Sequence, residues 1–191
     1  MTEEPHRRWP LSSSAPSRAG RWLPALVVVV LVGGVASAQS PPSLSDYAGR
    51  YRLQGSMEQA RSTLMRAADH ALRDANALFR TFARAALPER VRIPRTFRIE
   101  TSDGDVEVRA DGRAMRGAPD GRAARRRSPV GEPVRLTYWF RRGQLVQSIA
   151  GEEGSMTRHF TLRGDRLEVT SVLRADRLPE PIRFDLVYRR R

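Results

Sequence analysis

The sequence has no cysteine in any of its 191 positions. This absence excludes a disulfide-stabilised scaffold, a thiolate zinc site, an iron–sulfur cluster, a cysteine nucleophile and a lipid anchor on cysteine. Lysine is absent as well, so all 34 basic residues are arginine. We interpret the exchange of lysine for arginine as coding bias in a GC-rich genome. The excess of basic residues, which gives a formal charge of +13, is instead a physical property of the folded product.

The motifs of common catalytic and cofactor sites are also missing. The sequence has no glycine-rich phosphate loop, no dinucleotide-binding fingerprint and no Gly-x-Ser-x-Gly turn. It therefore predicts a non-enzymatic protein with no cofactor, no metal and no catalytic residues, and a hydrolase is a remote alternative. The hydrophobic fraction of 40% is nevertheless sufficient for a folded core.

The N-terminal segment has the order of a secretory signal. Four arginines precede an apolar run over 23–35, and Ala36-Ser37-Ala38 follows with small residues where a signal peptidase cleaves. The run is shorter than the ~20 residues of a transmembrane helix. We expect residues 1–38 to be a signal peptide that is cleaved after Ala38. A retained membrane anchor and, from Arg7-Arg8, a twin-arginine export route are the alternatives.

Export places the mature protein in the periplasm, the medium or the cell wall, which argues against a nucleic-acid partner. Removal of residues 1–38 takes away four arginines and two acidic residues, so a formal charge of +11 remains. An exported basic protein meets anionic lipid head groups or acidic polysaccharide. The simpler interpretation is that this charge only keeps the protein soluble. We expect a mobile leader over 39–45 and a single domain over 46–191.

The first part of that domain has the pattern of one long helix. Ser56 and Gln59 form a capping box. Apolar residues then recur at helical spacing from Met57 to Leu87, and Pro88 is expected to end the helix. Unbroken, 31 residues would span roughly 46 Å at ~1.5 Å per residue. A small domain cannot accommodate that length easily, so a break near Ala75-Asn76 is expected.

After Pro94 the apolar residues alternate with polar ones, which is the period of a β-strand. Turn signals such as Asp103-Gly104 and Asp111-Gly112 separate the segments. The segment 117–133 is too rich in glycine, proline and arginine for a core element. About eight antiparallel strands result, in a meander whose last strand is a natural partner for the strand at 47–53. The predicted fold is α+β and mostly β: a small barrel or strongly curved sheet with one long N-terminal helix.

Two stretches resemble known families. Gly49-Arg50-Tyr51 is similar to the Gly-x-Trp of the first strand in lipocalins and related calycin barrels. The closing segment 178–190, with its Leu-Pro-x-Pro start and Leu-x-Tyr-Arg end, resembles the end of a family of uncharacterised exported bacterial β-meander proteins. The second resemblance covers 97–190, and it implies no activity. The first implies a ligand-binding barrel.

A closed sheet of this size readily encloses an apolar cavity. We therefore predict an envelope protein that binds a lipid or another hydrophobic or amphipathic ligand in the barrel or in a groove between helix and sheet. The aromatic residues expected to line this cavity are Phe79, Phe82, Phe97, Tyr138, Phe140, Phe160 and Phe184.

The alternative is a structural or interaction protein whose basic surface contacts anionic lipid or polysaccharide. The contact residues would be Arg122, Arg125, Arg126 and Arg127. Such a charge run is also typical of a solvated loop. The oligomeric state does not follow from the sequence.

Five further clusters are more simply explained as surface or turn residues. They comprise a metal-ligand group, two carboxylate pairs, a partial Ser-His pair and an adhesive tripeptide. The metal-ligand group is His70 with Asp69 and Asp74, and the carboxylate pairs are Glu152-Glu153 and Asp103/Asp105. The Ser-His pair, which a catalytic triad would complete with an aspartate, is Ser155 with His159. The adhesive tripeptide is Arg163-Gly164-Asp165.

Overall fold

The structure is a computed structural model that describes residues 40–128 and 131–191. The predicted signal peptide therefore lies outside the described residues. A 3₁₀ turn at Ser45–Tyr47 precedes the strands and helices. In chain order these are β1 Gly49–Leu53, α1 Met57–Ala71, α2 Ala77–Arg90, β2 Thr96–Ser102, β3 Asp105–Ala110, β4 Arg113–Gly117, β5 Ala124–Arg127, β6 Pro133–Arg141, β7 Gln144–Ala150, β8 Gly154–Arg163, β9 Arg166–Ala175 and β10 Ile182–Arg190.

The ten strands form one antiparallel sheet that curls into a nearly closed barrel. Its order is β4-β3-β2-β1-β10-β9-β8-β7-β6-β5. Two places in this order depart from the pairing of consecutive strands. The first is the β1–β10 junction, where Tyr51 pairs with Arg190 and Leu53 with Tyr188, which confirms the predicted pairing of first and last strands. The second is the seam between β4 and β5, whose edges have no partner strand among the described residues.

The mostly β class is confirmed, but the single long helix is wrong. Ser56 and Gln59 do form the capping box that starts α1. The chain then leaves the helix at Leu72 and re-enters at Asn76, whose side chain accepts a hydrogen bond from the Phe79 N–H. This is the break expected near Ala75-Asn76. The helix also runs past Pro88 to Arg90, because a proline in the last turn removes only one backbone hydrogen bond.

The strand count is ten and not eight, because β4 and β5 were not anticipated. Both are polar edge strands, and β5 falls inside the segment 117–133 that was excluded from the core. Their register comes from backbone pairing with β3 and β6, so they carry little hydrophobic alternation. The predicted turns at Asp103-Gly104 and Asp111-Gly112 are present, with positive φ at both residues of each.

The core fills the barrel and extends beneath α1. Strand residues of one phase point inward, among them Phe97, Val108 and Leu136. Helix α1 buries Ala60, Leu64 and Ala68, and it packs along β10. In the part of the chain that the structure describes, none of the helices has the length and apolar character needed to span a bilayer.

Candidate ligand-binding site

One barrel end is sealed by the N-terminal 3₁₀ turn. The Tyr47 hydroxyl oxygen lies 2.7 Å from the Gly143 carbonyl oxygen and 3.0 Å from that of Phe160. It also accepts a hydrogen bond from the Leu162 N–H at 3.2 Å. Tyr51 donates its own hydroxyl proton to the Tyr47 carbonyl. The turn between β6 and β7 and the strand β8 are therefore connected to one fully buried side chain, and this end has no opening around Tyr47.

Farther from Tyr47, on the side of the barrel that the α2–β2 connection borders, a charge lies on the inner face of the sheet. Arg158 lies on β8 in the same phase as Met156 and Phe160, both of which point inward. Its cross-strand neighbours are Gln147 on β7 and Ser171 on β9, which are themselves buried. The strand pleat thus fixes the side chain on the inner face, where charged residues are rarely found.

Arg158 has few partners for a guanidinium with five N–H donors. It donates one hydrogen bond to Gln147 Oε1 at 3.1 Å. Its Cζ lies 5.9 Å from the centroid of the Phe97 ring, within cation–π range. Within residues 40–128 and 131–191 it forms no ion pair. Burial lowers the pKa of Arg158, and nearby Tyr188 and Tyr138 oppose that shift. Arginine nevertheless stays charged in proteins, so the inner face of the barrel carries a partly buried cation that has no counter-charge among the described residues.

Gln147 links Arg158 to the seam. Its Nε2 donates to the Tyr138 hydroxyl at 2.6 Å, and that hydroxyl donates to the Met115 carbonyl on β4. Burial raises the pKa of Tyr138, which keeps the phenol neutral and able to donate. Tyr188 is also buried with a raised pKa, and it donates to the Pro94 carbonyl. The polar groups around Arg158 are therefore neutral, and none supplies the missing negative charge.

A small cavity borders Arg158. Its volume is about 10 Å³, which is room for about one water molecule. Its walls include Arg92 and Pro94 from the α2–β2 connection, Phe97 from β2 and Met156 from β8. The space beside Arg158 is therefore too small for a lipid-sized ligand in this conformation.

A second, larger cleft lies at the β4–β5 seam and has a volume of about 240 Å³. Asp120, Arg122 and Arg126 contribute charge to its walls, while Leu136 and Tyr138 form its apolar part. Arg122 is already paired with Asp120 at 3.5 Å. This cleft is open to solvent. Its walls contain fewer large apolar side chains than a lipid pocket requires.

Four of the seven predicted cavity residues lie inside the barrel, and the other three lie elsewhere. Phe97, Tyr138, Phe160 and Phe184 are buried inside the barrel. Phe140 packs edge-on against Tyr47, at 6.0 Å between ring centroids, and so belongs to the sealed end. On α2, Phe79 is partly buried.

Phe82, the other α2 residue in this set, lies on the outer face with 64% of its surface exposed, so it does not line the barrel. The reason is that α2 has apolar residues on both faces, and helical periodicity does not show which face is inward.

The four predicted surface arginines do not form one patch. Strand alternation places Arg126 in the inward phase with Ala124, at the seam, and Arg125 and Arg127 in the outward phase. Arg122 precedes the strand and is paired with Asp120. A contact with an anionic surface would therefore involve Arg125 and Arg127 more than the other two. The segment that contains them includes residues 129–130, which lie outside the described residues.

The remaining sequence candidates occupy ordinary surface positions. Ser155 and His159 are four residues apart on β8, about 13 Å along a strand, so they cannot hydrogen-bond to each other. Several of the charged candidates form ion pairs with nearby arginines. These pairs are Asp69 with Arg84, Glu153 with Arg90, Asp105 with Arg116, and Asp165 with Arg189.

Arg158 was missed as a site residue, although the sequence carries the signal. It occupies an apolar phase, between Met156 and Phe160, and Gln147 does the same between Leu145 and Ile149. A charged residue in the inward phase of a strand is costly to bury unless it has a role. That criterion would have selected Arg158.

Comparison with known proteins supports the barrel class. No family model and no curated protein matches the sequence, whereas many solved structures match the fold. One is lipid binding protein 8 of Caenorhabditis elegans, at 11% identity and a TM-score of 0.50, covering 78% of this chain and 99% of that one. Another is a secretory abundant heat soluble protein of Ramazzottius varieornatus, at 10% identity and a TM-score of 0.50, covering 77% and 96%.

A third is a fatty acid binding protein of Schistosoma mansoni in complex with arachidonic acid, at 12% identity and a TM-score of 0.48, covering 78% and 98%. The first two of these likenesses show that the chain has a fold similar to that of lipid-binding β-barrels, which supports the expected lipocalin-like resemblance at the level of fold alone. The resemblance of 178–190 to an exported bacterial family stays a prediction.

Proposed function

We propose that this protein is a non-enzymatic binder of a small amphipathic acid, whose anionic group pairs with Arg158 inside the barrel. The observation that carries the proposal is a guanidinium in the interior with one hydrogen-bond acceptor and no described carboxylate. The apolar part of the ligand would lie among Phe97, Met156 and Phe184, which border the same cavity.

The energetics of this partly buried charge support the proposal. An unpaired charge in an apolar interior is unfavourable, because it loses its hydration without gaining a partner. A carboxylate or phosphate can accept two parallel hydrogen bonds from the planar guanidinium, and such charge-assisted bonds are about twice as strong as neutral ones. A ligand that brings an anion and apolar surface together would therefore satisfy both features of the site.

The packed interior sets a condition on binding. Pockets for lipid-sized ligands have volumes of roughly 300–1,000 Å³, whereas the cavity beside Arg158 holds about 10 Å³. The ligand must therefore displace side chains. Met156 is flexible and unbranched, and Arg92 to Pro94 connect to α2, which buries only Leu87. These are the cavity walls that can move, and the cost of moving them lowers the apparent affinity.

The proposal includes export. The order of basic, apolar and small residues over 7–38 supports a location in the periplasm or outside the cell. There the ligand would be a lipid-derived acid or a similar envelope compound. The similarity in fold to lipid binding protein 8 of Caenorhabditis elegans agrees with a ligand of this kind.

A matched pair of ligands and a matched pair of variants test the proposal. Calorimetry would compare decanoate with decanol on the unmodified protein, Arg158→Met and Arg183→Met. Arg183 is exposed on β10, so its replacement changes the net charge equally without altering the interior. We expect decanoate to bind at least tenfold more tightly than decanol, a preference lost only in Arg158→Met. Equal binding of decanoate by both variants would contradict the proposal.

A second candidate function follows from the small volume of the cavity beside Arg158. If the interior admits no ligand, the barrel is a rigid support and its basic surface is the functional part, as in the alternative that names Arg122, Arg125, Arg126 and Arg127. Failure of every carboxylate tested to bind the unmodified protein would favour this candidate.

A further inference from the structure

The outer face of the sheet around the β1–β10 junction places arginine opposite arginine on successive strands. We call these residues the arginine band, and they form two neighbouring rows. The first row, from β3 to β1, is Arg109, Arg98 and Arg50. The second row, from β1 to β8, is Arg52, Arg189, Arg166 and Arg163. Like charges directly opposite each other destabilise a sheet, so folding does not explain this alignment.

The band is only partly neutralised. Four of its seven arginines have carboxylate partners, which are Glu100 for Arg98, Glu107 for Arg109, Glu168 for Arg163 and Asp165 for Arg189. Arg50, Arg52 and Arg166 are exposed and have no carboxylate partner among the described residues. They lie close together, because Arg50 and Arg52 share one face of β1 and Arg189 pairs with both Arg52 and Arg166. The centre of the band is therefore a surface with unpaired positive charge.

The shape of the band favours a linear partner over a flat one. Its second row crosses four successive strands of a nearly closed ten-stranded barrel, so these side chains point outward over a wide arc. A planar bilayer would touch only part of that arc, whereas a chain molecule can follow it. The rows run across the strands, which are spaced about 4.8 Å apart. This spacing is close to the length of one sugar unit in an extended polysaccharide.

The chemistry of the band favours carboxylates. A guanidinium group can donate two parallel hydrogen bonds to one carboxylate, which makes arginine a specific partner for that group. Single-stranded nucleic acids are instead held largely by stacking of their bases on aromatic side chains. The outward-facing residues that the structure describes on β1, β2, β9 and β10 include no aromatic residue. The band therefore offers paired hydrogen bonds and charge without a surface for base stacking.

We propose that the arginine band binds a linear acidic polysaccharide, whose chain runs across the strands and whose uronic acid carboxylates pair with Arg50, Arg52 and Arg166. This surface differs from the segment that carries Arg125 and Arg127. The proposal goes beyond the ligand in the barrel and does not rest on it, because no residue of the band borders the Arg158 cavity.

Two triple variants of the full chain test the proposal. The band variant is Arg50→Gln, Arg52→Gln and Arg166→Gln. The control variant is Arg135→Gln, Arg174→Gln and Arg183→Gln, which removes three outward, exposed strand arginines outside the band and changes the net charge equally. Fluorescence anisotropy measures the binding of an end-labelled galacturonic acid decasaccharide. Its methyl-esterified form is the uncharged match, and a short DNA duplex with the same number of charges is the alternative polyanion.

We expect the band variant to bind the decasaccharide at least tenfold more weakly than the unmodified protein, and the control variant to change affinity less than twofold. The salt dependence of binding should become shallower only in the band variant, because fewer counterions are released. Thermal unfolding should show that the band variant is at least as stable as the unmodified protein, since opposed like charges are removed.

Three results would overturn the proposal. Equal weakening in the two triple variants would show that only net charge matters. Equal binding of the methyl-esterified chain would show that carboxylates are not recognised. Tighter binding of the DNA duplex, with the same loss in the band variant, would assign the band to nucleic acid.

Discussion

The two ends of the barrel are built differently. At the sealed end, Tyr47 connects Gly143, Phe160 and Leu162 through one buried hydroxyl group. At the helix-covered end, an arginine without a counter-charge borders a cavity. The helix nearest to it buries a single residue and exposes two large apolar ones. Every polar group named at the first end has a partner. At the second, Arg158 has no counter-charge, and Leu78 and Phe82 have no packing partner, among the described residues.

The contrast indicates a division of roles. Regions with many buried contacts open only when the whole protein unfolds, whereas sparsely packed elements open locally at low free energy. Tyr47 and the strands around it would therefore set global stability. Helix α2 and its connection to β2 would supply the motion that ligand entry requires.

The largest effect is expected at the sealed end. Tyr47→Ala removes a fully buried aromatic side chain and leaves its backbone partners unsatisfied, so we expect a loss of about 4 kcal/mol in the free energy of unfolding. Leu87→Ala on α2 should cost about 2 kcal/mol, because α2 can relax around the change. Urea unfolding monitored by tryptophan fluorescence measures both. An equal loss for the two variants would contradict the difference between the ends.

At the helix-covered end, one substitution should act in the opposite direction. Arg158→Met replaces an unpaired interior charge with an apolar side chain of similar length, so we expect the ligand-free protein to gain about 2 kcal/mol of stability. The same variant should lose its preference for carboxylate ligands. Thermal unfolding in the absence of ligand gives the first quantity. Destabilisation by this change would mean that Arg158 is a structural residue and not a site held open for an anion.

High pH should weaken the fold through the buried tyrosines. All four are buried, and burial raises the pKa of each above the value of 10.0 for a free phenol. The unfolded chain therefore loses these protons first. The stabilising contribution is complete below pH 10 and is lost as pH rises through the higher folded pKa values.

One substitution measures how much a single tyrosine contributes to this loss of stability at high pH. Tyr188→Phe removes one of the four titrations, so at pH 11 the variant should lose about 1 kcal/mol less than the unmodified protein, relative to pH 9. Urea unfolding at the two pH values gives the comparison. Identical losses in both proteins would show that Tyr188 ionises as freely when folded as when unfolded.

The smallest effect is expected on the outer face of α2. Leu78→Asn with Phe82→Asn should change the free energy of unfolding by less than about 0.5 kcal/mol, because neither side chain is buried in the described structure. Differential scanning calorimetry without lipid tests this. A loss of about 2 kcal/mol or more would show that these two side chains have a structural partner, and the two faces of α2 would then serve the same purpose.

The accuracy with which the sequence predicts the fold differs between regions, because the regions carry different kinds of sequence pattern. The capping box at Ser56 and Gln59 is a local contact, so it specifies the start of α1 without the rest of the fold. Strands β6, β7, β9 and β10 alternate clearly because each buries residues of one face. Strands β4 and β5 lie at the seam, where neither face is deeply buried, so backbone pairing alone defines them and the sequence pattern is silent.

The site was less predictable than the fold. The aromatic residues Phe97, Phe160 and Phe184 follow the strand period and were placed inside correctly. Whether they enclose a cavity depends on how side chains from opposite strands interdigitate, which no local pattern reports. The outward position of Phe82 was inaccessible for the same reason, since only the assembled barrel shows which of the two apolar faces of α2 is covered.

The most direct test of the central claim is a crystal structure of the protein with decanoate. We expect the carboxylate oxygens to lie about 2.7–2.9 Å from the Arg158 guanidinium nitrogens, as in charge-assisted hydrogen bonds. The acyl chain would lie where Met156 now borders the small cavity, and α2 and residues 92–94 would be displaced. An unchanged, packed interior around Arg158, with decanoate absent or bound only at the surface, would contradict the claim.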